Sequence, residues 1–176
     1  VIFSLIIAAC FGLSGAAMAA FSVSYSYEQN AKLLSENAHN VADNASSMLT
    51  SGYISMFGDD NYSIAALCSS LGMISESIDA DVFICDTSGY VIMCRDYFVN
   101  GMLVDYVCAE HDNLIMPQEI MQGVSNDAYS TVDDLGGLYD GLHYIAGEPV
   151  KVHGQTVAAV FAVAPVTNAV VSFMMP

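Results

Sequence analysis

Four histidines, five cysteines and a single arginine are the residues of this chain with the most chemistry to offer. The histidines are His39, His111, His143 and His153, and no two of them share an H-x-x-x-H or H-E-x-x-H spacing. A zinc hydrolase is therefore unsupported. No glycine-rich phosphate loop and no G-x-S-x-G elbow occurs. No catalytic residue is assigned, and neither a cofactor nor a bound metal is expected. The cysteines are Cys10, Cys68, Cys85, Cys94 and Cys108, without a C-x-x-C pair. Cys94 ends a predicted strand and Cys108 falls in the irregular stretch after it. A disulfide between them would close a loop of roughly 15 residues and contribute about 3 kcal/mol. Two free thiols are the alternative. Cys68 and Cys85 suit buried core positions, and Cys10 sits in an apolar run.

Charge narrows the ligands. The chain carries 19 acidic residues against 3 basic ones, a net charge of −16. Such a field repels phosphate, which excludes nucleic acid as a partner. In so acidic a setting, Arg95 beside a pocket would clamp a ligand carboxylate bidentately. An ion pair with Asp96 is the alternative. The acid pairs Asp59-Asp60 and Asp133-Asp134 lack the D-x-D-x-D-G spacing of a calcium loop and fit a solvated surface.

The elements that must position these residues begin with an apolar helix. Val1 to Tyr27 holds no charged residue, in a chain that is 55% hydrophobic with mean hydropathy +0.49. About 20 apolar residues cross a bilayer, so residues 1–27 are expected to form a transmembrane helix. A cleaved signal ending at Ala17-Met18-Ala19 is the alternative; either one exports the rest of the chain. The helix is expected to continue to about residue 50, with Leu33, Leu34, Ala38, Val41, Ala45, Met48 and Leu49 inward. Glu28, Lys32 and Glu36 form a charge ladder outside. Leu34, Val41 and Met48 recur at sevens, a stripe for the domain's own sheet or for a partner helix in a homodimer. Ser63 is the expected N-cap of a second helix over 64–78, with Ile64, Leu67, Leu71 and Ile74 inward.

Asp81–Cys85 and Tyr90–Arg95 flank Asp86-Thr87-Ser88-Gly89 and predict a hairpin. A four-residue turn sets Cys85 opposite Tyr90 and Phe83 opposite Ile92. Both faces are apolar, so both need cover. Pro117 opens a short helix, Gln118–Gly123. Further strands are expected at 128–135, 142–152 and 156–164. Pro149 places part of the second at an edge or bulge, and the unbroken apolar third belongs at the centre. Residues 169–176 begin an exit helix. The fold class is α+β: a long N-terminal helix packed on a mainly antiparallel five-stranded sheet.

Three stretches, in chain order, resemble the PAS-like extracytoplasmic sensor domains known as Cache or PDC domains. Val82-Phe83-Ile84-Cys85-Asp86-Thr87-Ser88-Gly89-Tyr90-Val91-Ile92 resembles the family's strand–D-x-x-G–strand hairpin. Leu135-Gly136-Gly137-Leu138-Tyr139, with Tyr144 and Gly147-Glu148-Pro149-Val150, resembles its middle strands. Gly154-Gln155-Thr156-Val157-Ala158-Ala159-Val160-Phe161 resembles its last strand. The resemblance implies a sensor domain over 28–168, extracellular and anchored in the cell membrane. It implies a small-molecule or ion ligand in a membrane-distal pocket walled by Tyr139, His143 and Tyr144, in addition to Arg95. It implies a homodimer that relays binding by helix displacement to a two-component histidine kinase. The sensor of a chemoreceptor or diguanylate cyclase is an alternative. A pilin-like surface protein is another, although Leu5 stands where pilins carry glutamate.

Overall fold

The computed structural model describes residues 2–51, 61–99, 102–103, 111 and 114–166. Helix α1, Ile2–Thr50, is continuous. Its buried stripe over the domain is Leu34, Ala38, Val41, Ala42 and Ala45, with Met48 and Leu49 half-buried. Leu34 and Val41 thus pack on the chain's own sheet. Leu33, expected inside, is 44% exposed; it lies one position, or 100°, off that stripe. Helix α2, Asn61–Ile78, already includes Ser63, so Ser63 is not its cap. Leu67, Cys68 and Leu71 are its buried residues, together with Ser75.

The hairpin is β1, Asp81–Asp86, and β2, Val91–Cys94. Its register differs from the expected one. Phe83 pairs with Cys94 and Ile84 with Met93, then a bulge puts Cys85 opposite Val91. The turn explains the first half of the slip. Asp86 closes it through Gly89 N–H at 3.0 Å, and its own Oδ1 accepts from Ser88 and Tyr90 N–H groups. Gly89 sits at φ +91, and a Cβ there would meet the Met116 carbonyl at 2.8 Å. One extra residue is thereby absorbed at the turn, and the bulge absorbs a second, Ile92, between Val91 and Met93. A one-turn 3-10 helix, Arg95–Tyr97, stands in place of the strand's expected last residue. Strands β3, Phe98–Val99, and β4, Met102–Leu103, form a small separate pair. Helix α3, Gln118–Val124, starts directly after Pro117. Strands β5, Tyr129–Asp133, β6, His143–Val152, and β7, Gln155–Pro165, complete the sheet.

The sheet order is β2-β1-β7-β6-β5, and all pairings are antiparallel. The apolar run of β7 is central, as expected. Pro149 lies where β5 no longer pairs with β6, since that ladder stops at Gly147, so its missing N–H costs no bond. Residues 134–142 form turns, not strand, and Leu135 is a buried plug at φ 53.

Alternation along the strands divides the core in two. Val82, Ile84, Tyr144, Ala146, Val150, Ala158, Val160 and Ala162 face α1 and α2. Phe83, Cys85, Ile145, Ala159, Phe161 and Val163 face α3, Leu114, Met116 and Leu135. The α+β expectation, with both faces of the hairpin covered, holds.

The proposed anchor falls on residues only partly described. Among the described residues no helix is long and apolar enough to cross a membrane. The side chains of Ser4–Cys10 and several later ones in 1–27 lie outside the described set. Those described there include Phe3, Phe11, Leu13, Met18, Phe21 and Tyr25, all exposed. The expected exit helix at 169–176 and Cys108 also lie outside the described residues.

Candidate functional site

A cleft of about 500 Å³ opens at one end of the sheet. Its walls are the end of α2 and the turn after it (Ser75, Glu76, Asp79, Ala80), Asp81 at the start of β1, Arg95 after β2, Tyr139, His143, and Val163 and Pro165 at the end of β7.

Helix α2 stops because Asp79 takes a left-handed conformation, φ 50, and Ala80 N–H turns back to the Ser75 carbonyl at 3.1 Å. This is the usual six-to-one closure of a helix C-terminus, with aspartate where glycine is common. The buried Ser75 hydroxyl donates to the Ala80 carbonyl and stiffens the turn. The chain is thereby aimed into β1 with Asp81 at its mouth.

Asp81 organises the site. Its Oδ2 accepts from Tyr139 Oη at 2.7 Å and lies 2.8 Å from His111 Nε2. His111 is buried, with its ring 5.0 Å from that of Phe83. Burial works to raise the Asp81 carboxyl. The hydrogen bond and charge of His111, the Tyr139 hydroxyl and the Arg95 charge outweigh it and hold the group below the ordinary carboxylate range. Asp81 is thus an anion at neutral pH, held by residues from two separate segments.

Tyr139 and His143 come from the loop between β5 and β6. Asp133 Oδ1 accepts from Leu135 N–H at 2.7 Å and Asp134 Oδ1 from Gly136 N–H at 3.0 Å. The acid pair Asp133-Asp134 therefore caps this turn. Gly136 and Gly137 supply the positive φ that the turn needs, at 69° and 83°. His143 Nδ1 lies 3.0 Å from the Gly141 carbonyl. A carbonyl only accepts, so Nδ1 carries the proton and Nε2 is the remaining polar atom of the ring. The rings of Tyr139 and His143 meet at a tilt, with centroids 4.8 Å apart.

Arg95 Nε lies 3.5 Å from Asp96 Oδ2, with both side chains more than 40% exposed (42% and 46%). The Asp96 pair and a place on the cleft wall are therefore both realised. The structure brings Arg95, Tyr139 and His143 together around one cleft. Tyr144 is on the opposite face of the sheet, packed among residues that meet α1, because it is one step along β6 from His143. Asp81 and His111 were not singled out by sequence. The one available signal was an acid at the head of an otherwise apolar strand.

Cys68, Cys85 and Cys94 are buried. Burial, with Cys94 nearby, pushes the Cys68 thiol up to about 12. Burial also pushes the Cys85 thiol up. Both are protonated and poor nucleophiles at neutral pH. Among the described residues no cluster of His, Cys, Asp and Glu is arranged to hold a metal ion.

The end of the sheet at which this cleft opens can be placed along α1. His39 and Glu148 are neighbours across α1 and β6, as are Ser46 and Lys151. Seven helical residues and three strand residues both rise about 10 Å, so the two elements run side by side. Five strand residues back from Glu148 is His143; the matching 16–17 Å along α1 is about eleven residues, which reaches Glu28. The cleft mouth thus stands level with the first charge after the apolar segment. At this end β7 leaves the sheet, with Val166 N–H bonded to the Leu142 carbonyl at 2.9 Å. Further along the sheet, the same face is packed with Phe83, Phe161 and Met116.

No protein-family model matches the chain, and no curated protein does. Solved structures do. The sensor domain of the Vibrio cholerae histidine kinase DctB superposes with a TM-score of 0.60 at 12% identity, over 93% of this chain and 59% of that one. The ligand-binding domain of the Campylobacter jejuni chemoreceptor Tlp3, in complex with L-valine, gives 0.46 at 16% identity, over 89% and 68%. This chain therefore spans 59% of the DctB sensor-domain chain. With α1 and α2 on one face of a five-stranded antiparallel sheet and the likeness to the DctB domain, the chain has the fold of the PAS-like extracytoplasmic sensor domains.

Proposed function

We propose that the chain is a ligand-sensing input domain of a transmembrane receptor, with a two-component histidine kinase as its output. The observation that carries the reading is the place of the cleft. Its wall includes Val163 and Pro165, the last residues of β7 before the chain leaves the sheet. A ligand that binds one position of this exit better than another shifts the balance between them. No longer relay across the domain is needed. The volume, about 500 Å³, is in the range of small-molecule sites. Arg95 receives a carboxylate, Tyr139 and His143 supply hydrogen bonds, and Glu76, Asp79 and Asp81 disfavour ligands of high negative charge.

Residues 1–27 are the anchor in this reading, supported by their lack of charge and by the exposed Phe11, Phe21 and Tyr25. Residues 28–168 form the extracellular domain. Homodimer contact belongs to the anchor segment, since Leu34 and Val41 are buried within the domain. The Cys94–Cys108 bridge is retained as part of the proposal. Intact mass after denaturing alkylation should rise by two alkyl groups more when reductant is added; an unchanged mass rejects the bridge.

The sensing role is tested by thermal unfolding of the full chain in detergent micelles, titrated with free amino acids, with short dicarboxylates, and with calcium and magnesium chloride. A saturable rise in Tm is expected for one carboxylate-bearing class. Arg95→Ala should weaken that response about tenfold, the worth of a charge-assisted hydrogen bond. No saturable response from any class removes the reading.

A further inference from the structure

Glu148 is a carboxylate in an apolar interface. It lies on β6 with its side chain only 10% exposed, and on the strand opposite it stands Val160. An ionised carboxylate so enclosed is costly unless another charge answers it. Among the described residues its ionic partner is His39 of α1, whose Nδ1 lies 3.5 Å from Glu148 Oε2. The other nitrogen, Nε2, lies 3.4 Å from Asp43 Oδ2. Only imidazolium has an N–H on each nitrogen and a charge for two carboxylates; neutral imidazole has one N–H and none. The contact is therefore an ion pair only when His39 holds its second proton.

The other neighbours do not substitute for it. On α1, Glu36 is paired with Lys32 at 3.6 Å. On β6, Lys151 Nζ donates to the Asn126 carbonyl at 2.7 Å. Strand β7 presents Val160 and Ala158, and the acids of α2's end, Glu76 and Asp79, are at the cleft. Apart from the Ser46–Lys151 hydrogen bond, the contact between α1 and the sheet is mainly apolar, chiefly alanine, leucine and valine, which is non-directional and tolerates a slide.

We infer that His39 and Glu148 form a proton-dependent lock on the register of α1 against the sheet. Protonated His39 fixes the helix through Glu148; loss of the proton leaves α1 held by apolar contact and by the Ser46–Lys151 hydrogen bond. External acidity then becomes a second input, acting on the helix rather than on the cleft. That consequence rests on the proposed sensory role. The lock does not, and its test uses no ligand.

The test compares thermal unfolding of the full chain in detergent micelles with that of His39→Gln at about pH 5.5 and about pH 8, the window in which histidine changes charge. His39 is 58% exposed, so the variant should fold. The expected gap is roughly 2–4 °C at the lower pH, the shift of a small free-energy change in a chain of this length, closing at the higher. The gap should persist in an Asp43→Asn background, which removes the pair within the helix, and vanish in Glu148→Gln. An equal gap at both pH values, or one undiminished in Glu148→Gln, overturns the lock. Should Glu148→Gln not fold, amide exchange decides. Protection of Leu34–Ala45, corrected for intrinsic rate, should be greater at the lower pH, and equal protection overturns the inference.

Discussion

Ala158, Val160 and Ala162 of β7 meet α1, where Ala38, Ala42 and Ala45 answer them. Ala159, Phe161 and Val163 of the same strand meet Phe83, Met116, Leu135 and α3. One face brings a helix down close on small side chains. The other fills a deeper space with large ones beneath short, irregular cover. The first is suited to a long element that must stay straight and still be able to shift. The second is suited to a surface where loops meet and a cleft can remain. Gly147 shows how tight the second is: a Cβ there would meet the Phe161 ring at 2.7 Å.

The contrast is broken most directly by truncating each side of β7. Phe161→Ala should cost about 3–5 kcal/mol, because a fully buried ring leaves a cavity. Val160→Ala, its neighbour on the α1 face, should cost about half as much or less, since fewer atoms are lost. Denaturant unfolding measures both. Equal losses would mean that the two faces share the core evenly. Enlargement should reverse the ranking. Ala38→Leu, at a fully buried position between α1 and the sheet, should lose about 1–3 kcal/mol through overpacking. If it is neutral, the helix already stands far enough off the sheet to take a larger residue, and close approach is not what holds it.

The α1 face was legible because its signals are periodic. Leu34, Ala38, Val41 and Ala45 recur at helical spacing, and the apolar run of β7 could only be central. The hairpin was legible in kind but not in register, because the turn takes up one residue at Gly89 and a bulge takes up a second, Ile92, and periodicity records neither. The cleft was only half legible. Arg95, Tyr139 and His143 come together across distances in sequence that only the sheet order sets. Tyr144 was misplaced by one step of strand alternation, which reverses the face. Asp81 and His111, 30 residues apart, carry no mutual signal at all; their hydrogen bond exists because His111, Leu114 and Met116 lie over the second face.

Asp81 gives the smallest effect and the one that separates the cleft from the packed part of its own face. Hydrogen bonds to a charged group are worth roughly 1.5–3 kcal/mol, but asparagine keeps a carbonyl acceptor. Asp81→Asn should therefore cost about 1–2 kcal/mol at neutral pH. The carboxyl is held below its ordinary value in the folded chain. Its stabilising contribution is then fully present above the unfolded value, about 3.9, and is lost as pH falls through the lower, folded one. The gap between wild type and Asp81→Asn should close over that acid range. The gap for Phe161→Ala, which involves no proton, should stay constant. Urea unfolding of the three proteins from pH 7 down toward pH 3 tracks both gaps together. If the Asp81 gap persists unchanged into acid, Tyr139 and His111 are held as well by a neutral group as by a charged one. The cleft is then an extension of the packed face rather than an electrostatic site at its edge.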